Sequence, residues 1–282
     1  MKYTDRSKRI LKNAEDVARQ TTGIVYPVHI LLAMLEEKTG VCAELNMSYP
    51  QLKEVLHARI EVMYRVDSVE GTIIPPFTMN ASEATREVLE IAEQRMHRYG
   101  QLVINEGHLA EGIFRSDDPK TREILKGLDV EGMHHIVCTA RDMVVHLRNY
   151  TLPSELNTET TFRRAKPLDH AALIDFVKTH FGAGWVESID NGFTHEEIPI
   201  FLALERENII GFASFDVSRN RKGIFGPMGT EKTIRSRKVG YTLLHLALNE
   251  MKDIGYEYAV LGEAGPLEFY EKACGAVVIP RN

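Results

Sequence analysis

The chain has 282 residues, 44% hydrophobic and 26% charged, ordinary values for a folded protein that exclude a disordered or fibrous one. At roughly 100–200 residues per domain, that length suits two domains. The formal net charge is −6, and it divides evenly: residues 1–150 hold 19 Lys/Arg against 22 Asp/Glu, the remainder 15 against 18. Neither half is a basic field of the kind that grips nucleic acid by counterion release. No apolar run reaches the ~18–20 residues of a membrane span, and the opening MKYTDRSKRILK lacks the apolar stretch of a signal peptide. Cys42, Cys138 and Cys274 are too scattered for a disulfide framework or a zinc spacing. A cytoplasmic location, with no membrane, nucleic-acid or metal partner, is therefore expected.

The first half repeats itself at a spacing of about 78–80 residues. Ile10–Glu15 returns as Val88–Glu93, His29–Leu35 as His108–Phe114, and Val41–Leu45 as Thr121–Leu125. Apolar residues fall at three- and four-residue intervals within these blocks, so each copy predicts about four short helices and the pair an all-α, pseudo-twofold domain. Tyr3-Thr4-Asp5-Arg6, the His-Leu-Leu pattern and Gly-Val-x-Ala resemble the amino-terminal repeat domain of the Clp protein-unfolding ATPases across residues 1–147. The resemblance implies a module that docks adaptors, peptides or protein substrates, including proteins marked by phosphoarginine. No phosphate loop of the type G-x-x-x-x-G-K-[ST] follows. Where that family often carries an acidic residue before the His, this chain has Val28 and Gly107, which cannot form a bidentate pair with a guanidinium. His29 and His108 each begin an apolar helix and are expected to bond a terminal backbone group or sit satisfied in the core. His134 and His135 lack a partner at metal-ligand spacing and read as surface residues.

Residues 148–160 (RNYTLPSELNTET from Arg148) break the periodicity with Pro153, Ser154, Asn157 and several Thr, and read as the linker. A β-rich pattern follows. Strands are predicted at 161–165, 198–204, 209–217, 222–228, 258–261 and 276–279. Helices are predicted at 170–181, with Asp169 as its cap, at 237–254, and around 267–273.

Two segments stand out chemically. Gly226-Pro227-Met228-Gly229-Thr230 leads into Arg235-Ser236-Arg237-Lys238-Val239-Gly240-Tyr241 at a strand-to-helix turn, and Phe269-Tyr270-Glu271-Lys272 lies some thirty residues later. A turn entering a helix offers unpaired N–H groups at the positive end of the macrodipole, a ready site for a pyrophosphate. These motifs, with the loop Gly182-Ala183-Gly184-Trp185, resemble the GNAT superfamily of acyl-CoA-dependent acetyltransferases across residues 161–282. The resemblance implies an α/β fold on a central mixed sheet and transfer of an acetyl group from acetyl-CoA to an amine acceptor, small molecule or protein.

It implies cofactor contacts from Met228, Gly229, Thr230, Arg235, Ser236, Arg237, Lys238, Val239, Gly240 and Tyr241. It also implies Tyr270 as the acid that protonates the leaving thiolate, and Trp185 as a wall of the acceptor site. Lys238 stands where the motif's first Gly usually does. The general base is open among Glu187, Asp190, Glu196, Glu197, Glu263 and a water chain, since Lys222–Gly226 carries no Glu. Cys274, without a His at a telling position, reads as a packing residue. Two other functions fit the same residues: an acyl-CoA-binding regulator with little turnover, and an adaptor for the protein-degradation machinery.

Overall fold

The computed structural model describes residues 1–63, 71–232 and 238–281. It divides into two compact units, one of Met1–Ala140 with the terminal residues from Pro280, the other Arg141–Ile279.

The first unit holds two sets of four helices. The first set is α1 (Asp5–Thr21), α2 (Pro27–Glu36), α3 (Gly40–Ser48) and α4 (Leu52–Met63). After a short pair of strands, β1 (Thr72–Ile73) and β2 (Asn80–Ala81), the second set follows: α5 (Glu83–Arg98), α6 (Glu106–Phe114), α7 (Pro119–Leu125) and α8 (Val130–Val137). The repeat is legible in the caps. Thr4 Oγ1 accepts from the Ser7 N–H at 3.1 Å, and 78 residues later Ser82 Oγ accepts from Thr85 at 3.2 Å. Each satisfies a helix-start amide that would otherwise lack a partner. α2 and α6 are buried almost along their whole length; α2 is accordingly apolar on every face rather than striped, while α6 pairs its buried Glu106 with Arg6 and its buried Glu111 with Arg95 and Arg115.

The second unit is a seven-stranded mixed sheet. Its strands are β3 (Arg141–His146), β4 (Thr161–Arg164), β5 (Ile200–Glu205), β6 (Asn208–Phe215), β7 (Ile224–Thr230), β8 (Tyr258–Ala264) and β9 (Val277–Val278), in spatial order β4-β5-β6-β7-β8-β3-β9. β4 to β7 form an antiparallel meander; β7 and β8 run parallel, joined by the helix α11 (Val239–Asp253). The β5–β6 turn places Arg206 and Glu207 at positive φ, as a two-residue hairpin turn with right-handed strand twist demands. α9 (His170–Phe181) and α10 (Val186–Gly192) follow β4. α9 buries Leu173, Phe176 and Val177 against Ile200, Leu202 and Phe212. α11 lies on the opposite face, where Leu243 closes on Gly211. α12 (Leu267–Cys274) precedes β9.

Two expectations need correction. The sequence reading puts residues 141–147 in the helical domain and 148–160 in an interdomain linker. In the structure the junction lies between Ala140 and Arg141. β3 pairs with β8 on one side (Met143↔Leu261) and with β9 on the other (Met143↔Val278), so the sheet takes an inner strand from upstream of the linker. Asp169, expected to cap α9, makes no cap bond there. Its carboxylate is held by Arg163 at 2.6 and 2.8 Å and by the Lys166 N–H at 2.7 Å, so it closes the 3₁₀ turn Pro167–Asp169 instead.

Candidate functional site

β7 and β8 pair only at Ile224↔Val260 and Phe225↔Leu261. Pro227 has no N–H to continue the ladder. Met228, Gly229 and Thr230 pair with β6 alone, so the two parallel strands part and leave one backbone edge of β7 open within the sheet. Two hydroxyls fix that edge from behind: Ser214 Oγ donates to Pro227 O at 2.8 Å and Ser218 Oγ to Gly226 O at 3.1 Å.

α11 begins next to this gap. The N-cap residue Lys238 makes no side-chain cap bond, and no acidic residue stands in the first turn, so among the described residues of the helix nothing neutralises its positive end. Gly240 borders Thr230 of β7, where a Cβ would lie in ordinary contact with Thr230 Cγ2, at 3.5 Å. Lys238 takes the left-handed conformation, φ 58° and ψ 16°, which explains why a Gly suits this position. Its ammonium lies 3.3 Å from Glu155. Val239 is buried and Tyr241 packs edge-on against His245 of the same helix. Arg235, Ser236 and Arg237 lie outside the described residues.

Tyr270 sits on α12, 8% exposed. Burial pushes its hydroxyl above the ordinary tyrosine range, so it is a neutral phenol that keeps its proton. Burial also pushes the Cys274 thiol up to about 11. Its Sγ–H donates to Tyr270 O at 3.2 Å, the posture of a packing residue rather than a nucleophile.

On the α9 face of the sheet, Trp185 stacks on Phe181 with ring centroids 4.9 Å apart. Phe181 in turn rests on Gly229 of β7 so closely that a Cβ there would collide with the Phe181 ring. Trp185 thus reaches β7 through Phe181, a residue the sequence reading missed although it closes an apolar helix just before the glycines. The candidate carboxylates are exposed: Asp190 pairs with His170 at 2.7 Å, Glu263 with Arg219 at 3.2 Å, and Glu197 lies 4.0 Å from Arg164.

A further missed group comes from residues 147–157, which lie along α11. The Tyr150 hydroxyl is hydrogen-bonded to His245 Nδ1, Lys252 Nζ donates to Tyr150 O at 2.6 Å, and the Asn157 N–H donates to Thr242 Oγ1 at 2.9 Å. Their Pro, Ser and Thr content gave the appearance of a free linker.

In the helical unit, His29 Nδ1 accepts from the Tyr26 N–H at 2.9 Å and His108 Nδ1 from the Asn105 N–H at 3.1 Å. Both imidazoles cap their helices, and burial lowers their pKa to about 3 and about 4. Val28 is in the core, and a Cβ at Gly107 would meet Val137 O at 2.8 Å, so neither position has space for a carboxylate. His134 corrects the surface reading: it is half-buried, 2.6 Å from Glu111, and Cys138 stands one turn further on. Arg95 and Arg115 also pair with that carboxylate. Two permanent positive charges oppose a metal cation there.

Residues 2–128 match the model of the Clp repeat (R) N-terminal domain, and residues 166–276 that of the acetyltransferase (GNAT) family. The chain joins a Clp repeat module to a GNAT acetyltransferase domain. β3, residues 147–157 and β4 all precede the stretch that the GNAT model matches. No curated protein matches the chain at a significant level. Among solved structures, the chain is similar to a GCN5-related glucosamine N-acetyltransferase region of a fungal multi-domain GH3 beta-N-acetylglucosaminidase, at 15% identity and a TM-score of 0.44, covering 58% of this chain and 22% of that one. It is also similar to a GCN5-related N-acetyltransferase from Sphaerobacter thermophilus, at 21% identity and 0.42, covering 50% and 49%. For the helical module, the N-terminal domain of the chaperone ClpD from Arabidopsis thaliana is similar at 20% identity and 0.38, covering 48% and 94%. This chain therefore spans about a fifth and about half of the two acetyltransferase chains.

Proposed function

We propose that the GNAT domain transfers an acetyl group from acetyl-CoA to an amine, and that the Clp repeat module docks a peptide or protein partner. The observation that carries this reading is the parting of β7 from β8 beside the uncapped start of α11, within the stretch matched to the GNAT family.

Acetyl-CoA supplies an activated acyl thioester. The first-turn amides of α11, around Val239, Gly240 and Tyr241, receive its pyrophosphate along the helix axis, with Arg235, Ser236, Arg237 and Lys238 as further donors. The open backbone edge at Met228–Thr230 holds the acyl arm and donates to the carbonyl oxygen as negative charge gathers there. An amine attacks the acyl carbon as the bond to sulfur breaks, and Tyr270 gives its proton to the departing sulfur. Tyr270 is a neutral phenol in the resting site, so its proton is in place when the sulfur departs. Trp185 and Phe181 wall the acceptor side. The amine sheds its proton to a water chain, in keeping with the exposure of every candidate carboxylate.

Calorimetric titration of the full chain with acetyl-CoA, followed by thiol release with a panel of amines, tests this. Steady thiol release that depends on the amine is the expected result. Saturable acetyl-CoA binding without turnover would favour a regulator, and absence of binding would leave an adaptor built on the Clp repeat module.

A further inference from the structure

Residues 147–157 meet α11 at Lys238, Thr242, His245 and Lys252. Those four positions form one stripe along the helix, at offsets of four, seven and fourteen residues from the first. The segment runs from the far half of α11, where Tyr150 is bonded, back to its start, where the Glu155 carboxylate lies 3.3 Å from the Lys238 ammonium. The Tyr150 ring also stacks on the His245 imidazole, with centroids 5.9 Å apart.

We propose that this strap is a built-in competitor of the acyl-CoA: Glu155 holds on Lys238 the place that a phosphate of the cofactor takes, and cofactor binding releases the strap. The inference rests on the acyl-CoA reading of the α11 start. Three features carry it. The strap presents an anion at the residue flanking the one helix start already argued to receive an anion. That ion pair is exposed on both sides, 56% and 84%, so it exchanges readily for a doubly charged group. Finally, the latch residue His245 is itself a buried ring, its Nε2 without a hydrogen-bond partner among the described residues. Burial holds this imidazole neutral, with its pKa lowered to about 4. Tyr150 is bonded to the other ring nitrogen, Nδ1, so releasing the strap costs this ring a single side-chain hydrogen bond. The regulation is thus a competition within one groove, set by the residues of the strap.

The test uses the full chain and coenzyme A at low ionic strength, where an exposed ion pair counts most. Glu155→Gln removes the competing charge and Tyr150→Phe the latch to His245. Each is expected to tighten coenzyme A binding about two- to five-fold, and the Asn157 amide is expected to exchange hydrogen faster when coenzyme A is bound. Unchanged or weaker binding by Glu155→Gln, or slower or unchanged exchange at Asn157, overturns the proposal, because the strap would then be indifferent to the cofactor or part of its site. A wild-type chain that binds no coenzyme A overturns the acyl-CoA reading and the strap together. A wild-type chain that binds it, with Gly240→Asp failing to bind and Glu155→Gln no tighter, overturns the strap alone.

Discussion

Gly240→Asp should move stability and binding in opposite directions. Position 240 lies in the first turn of α11, and a Cβ there meets, among the described residues, only Thr230 Cγ2, at an ordinary 3.5 Å. Replacing a helical Gly by Asp, itself a poor helix former, recovers about 0.3 kcal/mol of propensity, and a carboxylate at a helix start that has no acidic residue adds about 0.3–1 kcal/mol. The sum, roughly 1 kcal/mol, should raise the melting temperature of the GNAT unit by about 2–6 °C. For the cofactor the same carboxylate is a barrier. At about 5 Å and an effective dielectric near 20, each like-charge pair costs about 3 kcal/mol, so a pyrophosphate should lose more than a hundredfold in affinity. Differential scanning calorimetry and acetyl-CoA titration of the same sample read both effects. A more stable variant with unchanged affinity would place the cofactor elsewhere; a destabilised variant would show that the α11 start is already occupied.

Tyr270→Phe keeps the ring and its packing but removes the proton, so kcat should fall about 10²–10⁴-fold with little change in acetyl-CoA affinity; normal turnover with reduced stability would make Tyr270 structural. His29 and His108 are neutral in the fold, with pKa values near 3 and 4 against about 6.5 unfolded. Their contribution is therefore complete above about pH 6.5 and is lost as pH falls toward those folded values. Between pH 7.5 and 5 the loss should be about 4 kcal/mol together, read by faster amide exchange in α2 and α6; a flat profile would refute the buried-cap assignment. Phosphoarginine should bind the chain more weakly than about 10 μM by calorimetry, since neither Val28 nor Gly107 has space for a carboxylate; tighter binding would reveal another acidic site. A fragment of residues 141–282 should melt cooperatively, whereas residues 158–282, which lack β3 and the strap, should not; cooperative melting of the shorter piece would show β3 to be dispensable.

The helices were legible because the repeat states each one twice and because Thr4 and Ser82 mark their starts with side chains of known habit. The meander was legible for a similar local reason: short alternating runs separated by turn residues. β3 was not. Its residues alternate in burial, but the first of them is Arg141, fully buried, which breaks the apolar pattern. Its partners β8 and β9 lie more than 110 residues away, so no local turn signals the pairing. The strap was missed because it is held by backbone groups and polar side chains, and such contacts leave no hydrophobic period to detect. The α11 turn was readable from its glycines and basic residues, yet the parting of β7 from β8 that gives it meaning is a property of register.

The origin of β3 also bears on how the chain comes off the ribosome. Residues 141–146 emerge well before Tyr258–Ala264 and Val277–Val278, the two strands that flank them. At roughly 5–20 residues per second, that gap is about 6 to 25 s of synthesis. Throughout it, a strand bearing Met143 and Val145 has neither neighbour available, and both its edges can pair with another nascent copy. Arg141 and Asp142 at its head put a charged side chain on each face of the strand, and such charges discourage that pairing until the end of the chain arrives to close the sheet.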